Sequence, residues 1–170
     1  RELQAQGLPG YQHLATQRGH LMRVLRICAE LGQWEAVDRL AWALTGENSF
    51  LRMQGYWTEL VTAIETGLAA ARNLDNRRDE GNHLGNLGNA YSALGQVEQA
   101  IEYYEQALAI AREIGHRQGE GAHLGNLGLA YRDLGQVEQA RMYLEQSLAI
   151  FEEIKSPNAN LVRRWLADLD

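Results

Sequence analysis

Two histidines, His83 and His123, stand 40 residues apart in the same local sequence. Imidazole nitrogens bind zinc and related ions, but a stable site needs further ligands close by. Repetition of the unit alone explains the pair, so no metal site is expected, and His13, His20 and His116 show no partner pattern. Glu98, Glu102 and Glu105, with Glu138 and Glu145, recur three and four residues apart. Paired carboxylates can do acid–base work. At this spacing they read as the solvated face of an amphipathic helix. Cys28 is the single cysteine and forms neither an internal disulfide nor a multi-thiolate site. Its setting, RVLRICAEL, is amphipathic, which predicts a buried small hydrophobe. The sequence holds no Ser elbow, no Cys–His pair and no Gly-rich phosphate loop. An enzyme is not expected, nor a cofactor.

The elements that carry these residues follow from composition and period. The chain has 170 residues, 45% of them hydrophobic, enough for one domain with a core. Its two prolines, Pro9 and Pro157, lie near the ends and leave a long middle stretch open to helices. The net charge of -6 argues against a nucleic-acid binder, which needs a basic face for phosphates. Lys155 is the only lysine; the other basic residues are Arg. No window is long and apolar enough to span a bilayer, and no N-terminal segment has the pattern of a signal peptide, so a cytoplasmic location is the default. The first residue is Arg1, which is compatible with a piece of a longer protein.

Self-similarity decides the fold. Residues 78–117 and 118–157 align without a gap at a period of 40, with 25 of 40 positions identical. Both contain EGxHLGNLGxAYxxLGQVEQA. A period in this range marks a solenoid or related array. Residues 38–77 follow more weakly: Gly55 falls under Gly95 and Gly135, Leu68 under Leu108 and Leu148, and Arg72 under Arg112. Each unit reads as two helices. Leu84, Leu87, Gly88 and Tyr91 form one stripe, Gly95 ends that helix, and Val97, Ala100, Tyr104, Ala107, Leu108 and Ile110 form the next. Small residues alternating with large ones let antiparallel helices interdigitate. The flanks read as helices over 11–31 (through Leu14, Leu21, Leu25 and Cys28) and 34–54. A last helix is expected over 158–170, capped by Asn158 or Asn160.

LGNLGNAYSALGQVEQAIEYYEQAL resembles the tetratricopeptide signature, through Leu87, Gly88, Tyr91, Gly95, Ala100, Tyr104 and Ala107. The next unit carries Leu127, Gly128, Tyr131, Gly135, Ala140, Leu144 and Ser147 at the same places. The 40-residue unit is longer than the usual one of the family, and is similar to those of kinesin light chains, LGN-type polarity adaptors and the sensor arrays of bacterial STAND-type signalling ATPases. The resemblance implies an all-α, right-handed superhelical solenoid of antiparallel helix pairs, about eight helices in all. It is laid out as a helical flank (11–37), a degenerate repeat (38–77), two full repeats (78–117 and 118–157) and a capping helix (158–170).

The same resemblance implies a protein or peptide partner on a concave face lined by the first helix of each pair. Carried over, the lining residues are Ser49 and Arg52, with Trp42, Thr45 and Met53, in the degenerate unit. They are Asn82, Gly85, Asn86, Asn89 and Ser92 in the next, and Gly125, Asn126, Leu129, Arg132 and Asp133, with Ala122, in the last. Gly inside a helix costs about 1 kcal/mol relative to Ala. Gly85 and Gly125 therefore either let a ligand approach closely or pack against the preceding second helix. Asn86, Asn89 and Asn126 form a polar ladder that suits an extended peptide backbone, or else bond helix to helix. The Lys and Arg that clamp a C-terminal carboxylate in some relatives are missing, with Thr45 and Ala122 at two of the places. The alternative is an architectural module that self-associates as a homo-oligomer or docks on other domains of its own chain. Trp34, Trp42, Trp57 and Trp165 in the less regular flanks would then mark interfaces.

Overall fold

The computed structural model describes residues 9–46 and 49–169, with side chains from Thr16 onward. Leu14 and His13 lie outside the described side chains. Every regular element among the described residues is helical: α1 (Pro9–Glu30), α2 (Trp34–Thr45), α3 (Phe50–Met53), α4 (Trp57–Asn73), α5 (Arg77–Ala93), α6 (Val97–Glu113), α7 (Arg117–Asp133), α8 (Val137–Glu153) and α9 (Asn158–Ala167). Eight are long and α3 is a single turn, which makes an all-α solenoid of helix pairs. The chain divides into two compact units, 1–75 and 76–170.

In the second unit two 17-residue helices and two three-residue turns make up each 40-residue repeat. The turns explain the period. Gly95 and Gly135 take φ of 75° and 73°, and Gln96 and Gln136 donate their N–H back to the carbonyls of Tyr91 and Tyr131. A left-handed residue with this back-bond is how a helix closes its last turn. The second turn of each repeat repeats the device with Gly115 (φ 67°) and Lys155 (φ 54°).

Packing between the helices rests on small residues. A Cβ on Gly88 would lie 2.4 Å from the Tyr104 ring, and one on Gly128 2.6 Å from Leu144. Only glycine lets α5 meet α6, and α7 meet α8, at this distance. Leu84, Leu87, Leu124, Leu127, Ala100 and Ala140 fill the core. Two stacked tyrosine pairs, Tyr91–Tyr103 and Tyr131–Tyr143, repeat with ring centroids 5.3 Å apart. Arginines tie the ends of the pairs. Arg117 bonds the buried Glu120 and reaches Glu153 on α8, and Arg112 on α6 donates to Glu120 at 3.0 Å. Arg77 holds Glu80 and Glu113 in the same way one repeat earlier. The guanidinium beside Glu113 keeps that carboxyl below its ordinary pKa. At the C-terminus Ala159 and Val162 of α9 close the core over Leu144 and Phe151. Its cap differs from expectation: Pro157 is the N-cap residue and the Ser156 hydroxyl accepts from the Asn158 N–H, while Asn160 accepts from Arg163 instead.

In the first unit the helix expected over 34–54 is broken. It ends at Thr45, and Gly46 leaves helical geometry with ψ 163° before α3 begins at Phe50. Leu25, Val37, Ala41, Leu51, Leu60 and Ile64 are buried. Cys28 is half-buried rather than fully inside. Trp34, Trp42 and Trp57 are also half-buried. Arg18 stacks 4.1 Å over Tyr56 and pairs with Glu59 at 3.1 Å, fastening α1 to α4.

Candidate functional site

The first helices of the second unit, α5 and α7, carry most of the expected contact residues. Asn82, Asn86, Asn89 and Ser92 on α5 are half-buried, as are Asn126, Leu129 and Arg132 on α7, and Asp133 is exposed. Each helix buries its Leu/Gly stripe and leaves these side chains at the edge of the packing.

The asparagines are joined. Asn89 Oδ1 accepts from the Tyr104 hydroxyl at 2.8 Å and from Asn126 Nδ2 at 3.2 Å, which links α5 to α6 and to α7. Asn82 donates to Asp79 at 3.4 Å, and Asn76 caps α5 by accepting from the Asp79 N–H. Asn86 makes no hydrogen bond among the described residues. Arg132 pairs with its neighbour Asp133 at 2.8 Å. That pair is exposed and near neutral, so it offers polarity more than net charge.

Four of the expected residues, Thr45, Ser49, Gly85 and Gly125, lie inside the packing rather than on a surface. Ser49 is 8% exposed, and its hydroxyl has no partner among the described residues. Gly85 is buried under His123: a Cβ there would lie 2.7 Å from the imidazole Cε1. Gly125 is buried under Ser147 and Trp165, with a Cβ placed 3.2 Å and 3.3 Å from them. The space both glycines leave is taken by the chain's own side chains. For Gly85 these come from the following first helix; for Gly125, from α8 and α9. In the degenerate unit Arg52 is half-buried, Thr45 is buried with its hydroxyl on the Ala41 carbonyl, and Met53 is exposed.

The two repeating histidines belong to the same packing. His83 is fully buried and His123 is 8% exposed. Burial, with a smaller contribution from His116, pushes the His123 pKa down to about 4. His116 accepts from Arg78 through Nε2 at 3.3 Å, and burial and that cation lower its pKa as well. Among the described residues no three His, Cys, Asp or Glu side chains come together as a metal-binding group. Glu98, Glu102, Glu105, Glu138 and Glu145 are all exposed. No helix among the described residues is long and apolar enough to cross a membrane.

Sequence reasoning set Asn86, Asn89 and Asn126 in one polar ladder, of which the structure joins Asn89 to Asn126, and it missed two things. It gave Tyr104 a packing role only, although its hydroxyl reaches Asn89 across 15 positions. It also missed the buried Glu80 and Glu120, for which an Arg three residues earlier was the available signal.

Comparison with known proteins agrees with this architecture. Models of the tetratricopeptide repeat match residues 48–113 and 121–154. A search of curated protein sequences gives no match. Among solved structures the chain is similar to BtubC (BKLC) from P. vanneervenii, at 19% identity and a TM-score of 0.71, covering 94% of this chain and 65% of that one. It is similar to the TPR domain of Arabidopsis FLU (22% identity, TM-score 0.60, covering 72% of this chain and 97% of that one). It is also similar to a Rap protein complexed with Competence and Sporulation Factor, at 15% identity and a TM-score of 0.67, covering 94% of this chain and 45% of that one. The chain thus spans less than two thirds of BtubC and under half of the Rap protein. The two repeat matches, the helix-pair packing and these neighbours together make the chain a member of the tetratricopeptide-repeat family.

Proposed function

We propose that the chain is a protein-interaction module that holds a peptide or helix of its partner against α5 and α7. Tetratricopeptide arrays are in general non-enzymatic interaction scaffolds, and the similar Rap protein is solved with a bound factor. The carrying observation is the amide bridge between Asn89 and Asn126. It fixes polar groups at the surface of two adjacent first helices, with Asn86 beside it. A partner's backbone finds donors and acceptors there that are already held in place, so binding loses little side-chain freedom. Residues 76–170 carry nine basic and fourteen acidic residues, which favours a protein partner over nucleic acid. The wider setting proposed is the sensor or scaffold part of a larger cytoplasmic signalling protein.

The test is a peptide selected from a random display library on the immobilised chain, followed by fluorescence anisotropy. Asn86→Ala and Arg132→Ala should weaken binding five- to tenfold with little change in melting temperature. Glu102→Ala, on the solvated side of α6, should do neither. If Glu102→Ala weakens binding and the first two do not, the contact face is wrong.

Self-association has its own support. Leu31 is 69% exposed and Met53 61%, both in the first unit, and Met142 is 46% exposed in the second. Light scattering over a hundredfold concentration range checks it; a strict monomer counts against it.

A further inference from the structure

A further surface of the second unit brings α6, α7 and α8 together. Tyr131 on α7 and Tyr143 on α8 stack with ring centroids 5.3 Å apart and planes within 6°, and both are half-buried. They pack against a core cluster that includes Ile101 and Leu108 of α6. Glu105 stands four residues after Ile101 and three before Leu108, so it rises on that same side of α6. It is exposed and makes no ion pair or hydrogen bond among the described residues. Its charge is felt at the stack: burial first, then Tyr143 and Glu105, raise the Tyr131 pKa, so the phenol stays neutral.

We propose that the Tyr131–Tyr143 stack and Glu105 form a site for an arginine side chain of a partner protein. The guanidinium lies on the aromatic stack and pairs with the Glu105 carboxylate. The site is separate from the asparagine bridge and does not depend on a partner lying against α5 and α7.

Three observations favour this occupant. A ring face attracts a cation, and a planar guanidinium extends a stack of parallel rings where the compact ammonium of lysine does not. The chain makes the same combination for itself in the first unit, where Arg18 lies 4.1 Å over the Tyr56 ring and pairs with Glu59 at 3.1 Å. In the second unit the rings and the carboxylate are brought together and the carboxylate is left without a cation. The nine basic and fourteen acidic residues of 76–170 favour a positive group there. Acidity alone does not define the site. Glu145 holds the place of Glu105 one repeat later, but residues 158–170 contain no tyrosine to stack beside it.

The probe is the peptide acetyl-Gly-Gly-Arg-Gly-Gly-amide, with counterparts carrying lysine or citrulline in place of arginine. Citrulline keeps the plane of the side chain and loses its charge. Each is titrated into the isotope-labelled chain and followed by NMR. The arginine peptide should shift the amide signals of Glu105 and Tyr143 saturably. The lysine peptide should bind about threefold more weakly and the citrulline peptide about tenfold. Glu105→Gln and Tyr143→Leu should each weaken the arginine peptide about fivefold, whereas Tyr143→Phe, which keeps the ring, should cost less than about twofold. Glu105→Gln is a surface change, so it tests the site even if Tyr143→Leu fails to fold. Glu145→Gln should leave binding unchanged. If Glu105→Gln and Glu145→Gln weaken the peptide equally, only the general acidity of the second helices attracts it and the site is wrong. If lysine binds as tightly as arginine, the stacking role falls. If citrulline does, or if no saturable shift reaches Glu105 and Tyr143, the proposal is overturned.

Discussion

The repeats 78–117 and 118–157 are near copies, yet they differ where a partner would notice. The first holds the hydrogen bond between Tyr104 and Asn89; the second places the buried Leu144 and the half-buried Leu129 at those positions. The first receives an imidazole on its buried glycine, His123 on Gly85. The second receives an indole, Trp165 on Gly125. The shared 25 positions hold the first turn of each repeat, the leucine stripe and part of the acidic face; the rest tune what sits on that frame. The lesson is that the helix-pair frame is kept while side chains set on it differ, so some can be changed without altering the frame.

The largest expected difference between the repeats is in acid. His123 has a folded pKa of about 4 against an unfolded value near 6.5. The unfolded chain therefore binds the extra proton between those values, and stability falls as the pH drops through that window. The total is about 3 kcal/mol from this group alone, at 1.36 kcal/mol per pKa unit. Above pH 7 the contribution is fully present. Trp165, at the matching joint, contributes none. Urea unfolding of wild type and His123→Phe at pH 7, 5.5 and 4.5 measures it. Equal pH dependence in the two proteins would remove His123 as the cause.

Next in size is the small-residue contact. Gly88→Ala should destabilise by about 2 kcal/mol, because the buried Tyr104 ring has no room to retreat. The gain of about 1 kcal/mol in helix propensity offsets only part of the strain. Gly128→Ala should cost less, since it presses first on the branched end of Leu144. Chemical denaturation of both variants ranks them; the reverse order would mean that the α7–α8 contact is the stiffer one.

The smallest effect is stabilising. Lys155 holds φ 54° where the earlier repeat has Gly115. A left-handed residue with a Cβ costs about 1–2 kcal/mol, so Lys155→Gly should gain about 1 kcal/mol after its greater unfolded freedom is counted. Gly115→Lys should lose a similar amount. A melting temperature unchanged by either substitution would show that the turn is relaxed by its surroundings.

The fold was legible because the devices that build it are local. Gly95 and Gly135 announce helix ends, and alternating small and large residues at helical spacing announce close helix pairs. The break in the degenerate unit was less legible, since its signals (Gly46 and Ser49) sit inside a run that otherwise keeps the helical period. The cap of α9 was misplaced by one or three residues because Ser156 precedes a proline that itself takes the N-cap position. For the candidate site, the asparagines could be placed on one face from spacing alone. Their connection could not be. Tyr104 meets Asn89 over 15 positions and Asn126 meets it over 37, distances that only the packed helices define. The fates of Gly85 and Gly125 were hidden for the same reason, because each depends on a ring 38 or 40 positions later.

Those two glycines carry a consequence for how such a chain can grow. A second copy of 118–157 inserted after Pro157 would bring a histidine to Gly125 at the offset His123 has from Gly85, and would move the indole one repeat outward. The joint between repeats is therefore a reusable fitting with interchangeable rings. Lengthening the array requires no new contact to be invented, only the old one to be repeated before α9.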